Sequence, residues 1–174
     1  IINKLLKLNI DNTYNSISVD GDMSTNDTVM LFSVGNENIK KIDSENKMFY
    51  KILSIINKIM LNLSHQIVCD GEGISKLIEV NVFKANSKNQ AKKIAFSIAE
   101  SLLVKTAIFG KDANWGRVIM AVGKTSEKIN INKISLKFGK LIIAEKGKIS
   151  KKINNDKLNN YMKNKIIRIN LDLK

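Results

Sequence analysis

The sequence predicts a mixed α/β (α+β) fold in which helices and strands pack in layers. Two long segments carry apolar residues at helical spacing, whereas several shorter segments alternate or form continuous apolar runs, as strands do. The 174 residues contain no internal repeat and no low-complexity linker. Because each helix and sheet must bury its apolar side against another layer, this pattern favours a layered architecture.

The first third of the chain predicts the end of a helix followed by two strands. Leu5, Leu6 and Leu8 indicate an amphipathic helix, so the chain is expected to begin inside an element. Residues 14–19 alternate and predict a strand. Residues 28–34 form a continuous apolar run, which is typical of a buried strand.

Two long helices are predicted at residues 44–63 and 87–103. The first follows an expected loop at residues 35–38, and Ser44 is its candidate N-cap, although the glutamate of a full capping box is missing. The second opens on the capping-box signature Ser-Lys-Asn-Gln at residues 87–90.

The remaining elements are mostly strands. Residues 77–83 alternate and predict a strand, and residues 129–136 and 141–144 predict two more. Residues 155–163 suit a short polar helix. Residues 167–173 alternate to the end of the chain, so the chain is also expected to stop inside a strand.

The composition is that of a folded protein from a reducing compartment. Hydrophobic residues make up 44% of the chain, and the single cysteine, Cys69, can form no internal disulfide. There is no signal-peptide pattern, and no apolar run approaches the roughly 20 residues that cross a bilayer. We therefore expect a cytoplasmic protein with no membrane partner.

The formal net charge of +13 raises the alternative of a nucleic-acid partner. The charge is almost all lysine, since the only arginines are Arg117 and Arg168, and nucleic-acid readers favour the planar fork of arginine. Lysine, asparagine and isoleucine are encoded by A/T-rich codons, so codon bias can supply the charge. A basic nucleic-acid-binding module is the second hypothesis, and binding measured at low and high salt tests it.

Residues 19–28 read Val-Asp-Gly-Asp-Met-Ser-Thr-Asn-Asp-Thr and concentrate polar groups beside an apolar run. Asp20, Asp22, Asn26 and Asp27 are candidate supporting residues of a site. Their spacing resembles the start of a calcium loop, but the sixth position is threonine rather than glycine and the twelfth is leucine rather than glutamate. No metal is therefore expected. The structural alternative is a turn whose side chains bind its own backbone.

Two later segments, which begin at Asp70 and at Gly110, have the same polar, glycine-rich character. Glu72 lies between two glycines, where a ligand can approach the bare backbone and an ammonium or amide donor would suit the carboxylate; an exposed turn residue is the alternative. Trp115 is interpreted as a core anchor. Arg117 either holds a carboxylate in two-pronged fashion or pins a neighbouring loop.

His65 and Cys69 lie four residues apart and would share a helix face. A nucleophilic Cys–His pair needs a third group that orients the base, and none is evident. We expect a packed thiol and a half-exposed imidazole instead.

Three segments, in the same order and at the same spacing, resemble the β-chain of the glutamate N-acetyltransferase / ornithine acetyltransferase family of arginine biosynthesis. The matching segments are residues 14–28, 67–76 with 78–80, and 103–117. The similarity runs through most of the chain. Met23 and Ala113 depart from the family pattern, which has Thr and Pro there, and neither is expected to be essential.

The resemblance implies a layered α/β/β/α sandwich of the N-terminal-nucleophile type with a smaller C-terminal α/β domain. It assigns residues 1–78 to the central sandwich domain and residues 79–174 to an incomplete C-terminal domain. It also implies a proenzyme that cleaves itself before a threonine. The freed threonine then moves an acetyl group from N-acetylornithine to glutamate through an acyl-threonine.

The same resemblance implies partners and site residues. The partners are the α-chain of the proenzyme, in an α2β2 heterotetramer, and small amino-acid substrates. No cofactor is implied, although acetyl-CoA is an acetyl donor in some members. A related N-terminal-nucleophile amidase is a further alternative within the same fold.

The resemblance places the nucleophilic threonine upstream of Ile1, so no catalytic residue is expected in this chain. Thr28 imitates the cleavage site but is expected to lie in a strand. Asn170 matches the penultimate strand rather than the substrate-binding tail. Glu72 is the only substrate-binding residue carried over, and the segment, truncated at both ends, is expected to be inactive alone.

Overall fold

The computed structural model describes residues 1–35, 42–43 and 46–174. The chain divides into two compact units, Ile1–Gly71 and Glu72–Lys174. The first is helical and the second combines helices with one sheet, so the predicted mixed α/β class is confirmed.

The N-terminal unit contains two helices, α1 (Ile2–Ile10) and α2 (Lys47–Cys69). α1 buries Leu5 and Asn9 and packs against α2. The Asn9 amide is hydrogen-bonded at both ends: its Nδ2 donates to the Leu5 carbonyl at 2.9 Å, and its Oδ1 accepts a bond from Asn57 at 2.9 Å. The predicted first helix is therefore confirmed, and its buried polar group is satisfied.

The predicted helix at residues 44–63 is also confirmed, but α2 continues beyond its carboxyl end. The N-cap is Asn46, whose Oδ1 accepts a hydrogen bond from the Met48 amide at 3.0 Å. Ser44, the predicted cap, and most of the predicted loop (residues 36–38) lie outside the described residues.

In the described part of the chain, α2 is long and apolar enough to cross a membrane, with a mean hydropathy of 1.3 over an 18-residue window. No such segment is predicted from the sequence, where no apolar run approaches the roughly 20 residues that cross a bilayer. Helices of soluble proteins also pass this test of length and composition, so the result by itself does not place α2 in a membrane.

The two strands predicted in the N-terminal unit are wrong. Tyr14–Ser16 forms a short 3-10 turn, and residues 17–19 are irregular. Residues 28–34 are irregular too, with 80% of Phe32 and 95% of Val34 exposed. A strand needs a neighbour to pair its backbone groups, and the described residues of this unit include no strand.

The C-terminal unit is built on a five-stranded sheet. Its strands are β1 (Leu77–Phe83), β2 (Ser135–Phe138), β3 (Leu141–Glu145), β4 (Lys148–Ile149) and β5 (Ile166–Asp172). They lie in the order β1-β5-β2-β3-β4; β1 and β5 are parallel, and the other neighbours are antiparallel. The strands predicted at residues 77–83, 141–144 and 167–173 are therefore confirmed.

The helices of this unit are α3 (Lys88–Ala99), α4 (Leu102–Phe109), α5 (Trp115–Gly123) and α6 (Asn155–Tyr161). The span 87–103, predicted as one helix, is thus two, because the Ser101 hydroxyl caps a new helix by accepting from the Val104 amide at 3.4 Å. The predicted cap at Ser87 is confirmed, since the Ser87 hydroxyl accepts from the Gln90 amide at 3.1 Å. The Gln90 side chain accepts from the Asn86 amide at 2.7 Å rather than from the Ser87 amide, so the reciprocal bond of the capping box is shifted by one residue.

The strand predicted at residues 129–136 is wrong over residues 129–134. Ile131–Lys133 forms a 3-10 turn, and β2 begins only at Ser135. The Asn130 side chain accepts a hydrogen bond from the Asn132 amide at 3.1 Å. This local bond competes with extended backbone and favours the turn.

One face of the sheet forms the core with the helices. Leu136, Phe138, Ile167, Ile169 and Leu171 are fully buried there. The helices contribute the buried side chains Ile94, Ile98, Val104, Ile108, Val118 and Val122. Alternate residues of β5 therefore enter the core, which explains the period of two in the sequence.

The opposite face of the sheet carries polar cross-strand pairs. Glu79 forms a salt bridge with Arg168 across the parallel β1–β5 pair. On the next rung, Asn81 donates to the Asn170 side chain at 3.0 Å, and Asn170 donates to the Gly139 carbonyl at 2.8 Å. Asn170 is thus engaged within the sheet. Such pairs fix the register of neighbouring strands.

Asp172, at the end of β5, forms an ion pair with Lys84 at 2.9 Å. Partial burial alone would raise the pKa of Asp172, but the hydrogen bonds and charges of Lys84 and Lys174 outweigh it and hold that pKa below its usual value. A carboxyl with a lowered folded-state pKa stabilises the fold above its unfolded-state pKa of roughly 3.9 and loses this effect as the pH falls through the folded value.

We therefore expect Asp172→Asn to lower the free energy of unfolding near pH 7 by up to about 1 kcal/mol. The deficit should shrink as the pH falls below roughly 3.9 and through the lowered folded-state pKa of Asp172, where the wild-type carboxyl gains a proton. Urea unfolding of both chains at each pH measures it. Glu145→Gln, which removes an exposed carboxylate on β3, is the matched control. A deficit that stays constant with pH would contradict the electrostatic explanation.

Candidate functional site

Glu72 lies in a tight turn directly after α2. The Asp70 amide closes that helix by donating to the Gln66 carbonyl at 3.0 Å, and Gly73 then turns the chain with a φ of +66°. An added Cβ at Gly73 would meet no atom within 4 Å, so glycine is favoured there by its backbone conformation alone. The bend leaves Glu72 on the surface.

The Glu72 carboxylate is exposed and makes no hydrogen bond or ion pair with any other residue in the described ranges. Asp70 is also exposed, and its contribution to the turn is its backbone amide. An unpaired carboxylate beside bare backbone is able to accept hydrogen bonds from an ammonium group. Asp22, Asp27 and Asp70 also have exposed carboxylates without a partner in the described ranges, and Glu72 differs from them in lying between two glycines.

Lys76, which the sequence analysis did not single out, anchors the other side of this turn. Its ammonium donates to the carbonyls of Met162 and Asn164 at 2.5 and 2.9 Å. Next to it, the Leu77 amide donates to the Lys165 carbonyl at 2.8 Å. Burial, and secondarily the charge of Lys111, lower the pKa of Lys76. The turn therefore passes into β1 through a fixed point.

The polar run at residues 19–28 forms a surface turn held by its own side chains. Asp20 accepts a hydrogen bond from the Asp22 amide at 2.9 Å. The Ser24 hydroxyl accepts from the amides of Asn26 and Asp27 at 3.4 and 3.0 Å. All these side chains are exposed. This is the pattern of the structural alternative, in which Asp and Ser side chains support the turn.

Across the described residues, no group of three or more His, Cys, Asp or Glu side chains is arranged to hold a metal ion.

The segment that begins at Gly110 organises the start of α5. Asn114 is the N-cap and accepts a hydrogen bond from the Arg117 amide at 3.2 Å. The Arg117 guanidinium donates to the Leu103 carbonyl at 2.9 Å and to the Thr106 hydroxyl at 3.1 Å. It thus holds α4 against α5, as in the loop-pinning alternative. Trp115 is partly buried against the core.

The remaining chemical candidates are His65 and Cys69 on α2 and a cleft within the C-terminal unit. His65 and Cys69 are both exposed on α2, so the expectation of a packed thiol is wrong. A cleft of about 520 Å³ in the C-terminal unit contains none of the predicted supporting residues. It is lined by Gly139, Lys140, Leu141, Lys157, Asn160, Tyr161, Asn164 and Arg168. The sequence offered no signal for this cleft, because its walls come from three separate segments.

The sequence and the fold were compared with known proteins. The model of the ArgJ family matches residues 1–174. The arginine biosynthesis bifunctional protein ArgJ of Caulobacter vibrioides is 42% identical over 170 residues, which are 97% of this chain and 42% of that protein. The protein of the same name from Bartonella henselae is 42% identical over 174 residues, or 99% of this chain and 42% of that protein.

The fold has a close solved counterpart. The crystal structure of arginine biosynthesis bifunctional protein argJ from Bacillus halodurans superposes with a TM-score of 0.92 at 32% sequence identity, covering 98% of this chain and 80% of that one. The present chain spans less than half the length of the two curated relatives. Since the family model matches from the first residue to the last, the chain belongs to the ArgJ family.

Proposed function

We propose that this chain is part of an acetyltransferase of arginine biosynthesis, to which it contributes Glu72 as a substrate-binding residue. The match of the family model over the whole chain carries the proposal. The curated relatives are named arginine biosynthesis bifunctional proteins, which supports the pathway. The unpaired Glu72 carboxylate supports the substrate role, because amino-acid substrates carry an ammonium group.

In the proposed reaction, a threonine supplied by a part of the protein outside this chain attacks the acetyl carbonyl of N-acetylornithine. The bond to the ornithine nitrogen breaks, and ornithine leaves with a proton on that amine. Glutamate then attacks the acetyl-threonine ester and releases the threonine hydroxyl. Two steps through a covalent ester replace one difficult transfer.

The other features of the proposal come from the resemblance to the glutamate N-acetyltransferase / ornithine acetyltransferase family. The partner is an α-chain from the same proenzyme, in an α2β2 heterotetramer located in the cytoplasm. Asp20, Asp22, Asn26, Asp27, Asp70 and Arg117 would support the site through the turns and helix ends that they stabilise. No resident cofactor is needed, and acetyl-CoA is a candidate second donor.

The proposal is tested by acetyl transfer from N-acetylornithine to glutamate. The chain is assayed alone, and also together with the remaining part of a full-length protein of the family, which this chain does not cover. The chain alone should be inactive, and the combination active. Activity of the chain alone would contradict the external threonine. Release of free acetate without transfer to glutamate would favour the amidase alternative.

In the active combination, Glu72→Ala should lower kcat/KM by roughly 10- to 100-fold, mainly through KM, since a hydrogen bond to a charged group contributes about 1.5–3 kcal/mol. Self-cleavage should be unaffected. Glu145→Ala removes another exposed carboxylate and should change neither parameter. Unaltered kinetics in Glu72→Ala would contradict a substrate-binding role.

A further inference from the structure

Lys76 makes a long-range contact from the segment that carries Glu72. Its ammonium lies 2.5 Å from the Met162 carbonyl and 2.9 Å from the Asn164 carbonyl, which are 86 and 88 residues away in sequence. Met162 is the C-cap of α6, and its side chain is fully buried. The acceptor end of the contact is therefore fixed by the core.

The chemistry of the contact suits a lysine. The last carbonyls of a helix lack donors within the helix and carry partial negative charge, which a cation stabilises. An ammonium offers three donors, and two of them are used here. Lys76 is partly buried, and this burial, followed by the charge of Lys111, lowers its pKa.

The contact controls a short segment. The described residues 72–75 make no hydrogen bond to the rest of the C-terminal unit, so the first fixed points after Glu72 are the Lys76 ammonium and the Leu77 amide. The Leu77 bond uses backbone atoms alone and survives any change of the Lys76 side chain. β1 should therefore stay paired in Lys76 variants, while the turn before it gains freedom.

We propose that Lys76 is a positioning residue for Glu72, which it holds in place by tying the Glu72 turn to the end of α6. The inference rests on the proposed substrate role of Glu72. Loss of the contact lets the carboxylate sample several positions, so the substrate ammonium meets it less often in the productive one. The predicted signature is a raised KM with little change in kcat.

The test is a double-mutant cycle in the active combination, with Lys76→Met, Glu72→Gln and the double variant. Lys76→Met alone should lower kcat/KM by roughly 5- to 10-fold, whereas in the Glu72→Gln background its effect should fall below about 2-fold. Lys148→Met, the control, removes an exposed lysine on β4 and should have no effect. Lys76→Gln keeps an uncharged NH2 donor group and should lie between wild type and Lys76→Met. It replaces Lys76→Met in the cycle if the latter fails to fold.

Backbone order parameters from NMR relaxation supply a readout independent of activity. The order parameters of residues 72–76 should fall in Lys76→Met, while those of residues 78–82 should be unchanged. Unchanged order parameters at residues 72–76, or equal losses of kcat/KM with and without Glu72, would overturn the positioning role of Lys76 alone. A silent Glu72→Gln would overturn the substrate role of Glu72, and the role of Lys76 with it.

Discussion

Replacement of Phe138 by alanine is expected to lower the free energy of unfolding of the C-terminal unit by about 3–5 kcal/mol. Phe138 is 0% exposed and lies on β2, within the core formed by the sheet and helices. Its removal takes away a large apolar contact area and leaves a cavity that close-packed neighbours fill only in part. A loss of this size is a large share of the stability of an ordinary domain.

The measurement is urea unfolding followed by tryptophan fluorescence. Trp115 is the single tryptophan of the chain and is packed against this core, so its emission reports the unit concerned. The matched control is Phe83→Ala on β1, because the side chain of Phe83 is 51% exposed. It should lose less than about 1 kcal/mol. Equal losses for the two phenylalanines would contradict the assignment of the buried face.

The second large effect is expected at Gly147, in the turn between β3 and β4. Gly147→Ala should destabilise the chain by roughly 2–4 kcal/mol. The residue has a φ of +69°, and a Cβ there would lie 2.5 Å from the Ile131 carbonyl oxygen and 2.9 Å from the Asn132 Cα. Both are backbone atoms, so a clash cannot be relieved by rotation of a side chain. The Gly147 amide also donates to the Ile134 carbonyl at 2.9 Å, which ties the turn to its neighbour.

Gly73→Ala separates the two causes of this effect. Gly73 has a similar φ of +66°, but a Cβ there would meet nothing within 4 Å. It should therefore show only the conformational penalty of about 1 kcal/mol. Urea unfolding of both variants gives the difference, which is the steric contribution at Gly147. Equal destabilisation would mean that the close approach to the Ile131 backbone is unimportant.

The success of prediction along this chain depended on whether the deciding contact is local. β1 occupies the predicted residues 77–83, because Ile78, Val80 and Val82 alternate toward the core. Residues 28–34 have an equally apolar sequence but form no strand, since strand formation also needs a pairing neighbour. Helical spacing continued through Ser101, and only the hydrogen bond of its hydroxyl revealed that a second helix starts there.

The same limit applies to the candidate site. Glu72 was recognisable because its flanking glycines are sequence neighbours. The role of Lys76 was not, because its acceptors, at the end of α6 and just beyond it, lie 86 and 88 residues further on. The supporting role of Arg117 was of intermediate predictability, because its acceptors in α4 lie 11 and 14 residues before it in sequence. Sequence spacing carries no information about which distant carbonyls a lysine will reach.

The helix starts have a consequence for how this sequence can diverge. Asparagine is the N-cap of α2, α5 and α6, and serine is the N-cap of α3 and α4. Asparagine and serine stabilise helix starts almost equally well. Mutational drift toward A/T-rich codons, which adds asparagine, is therefore nearly neutral at these positions. Asparagine is unfavourable inside a helix but favourable at its start. The fold therefore accommodates added asparagine at the helix starts.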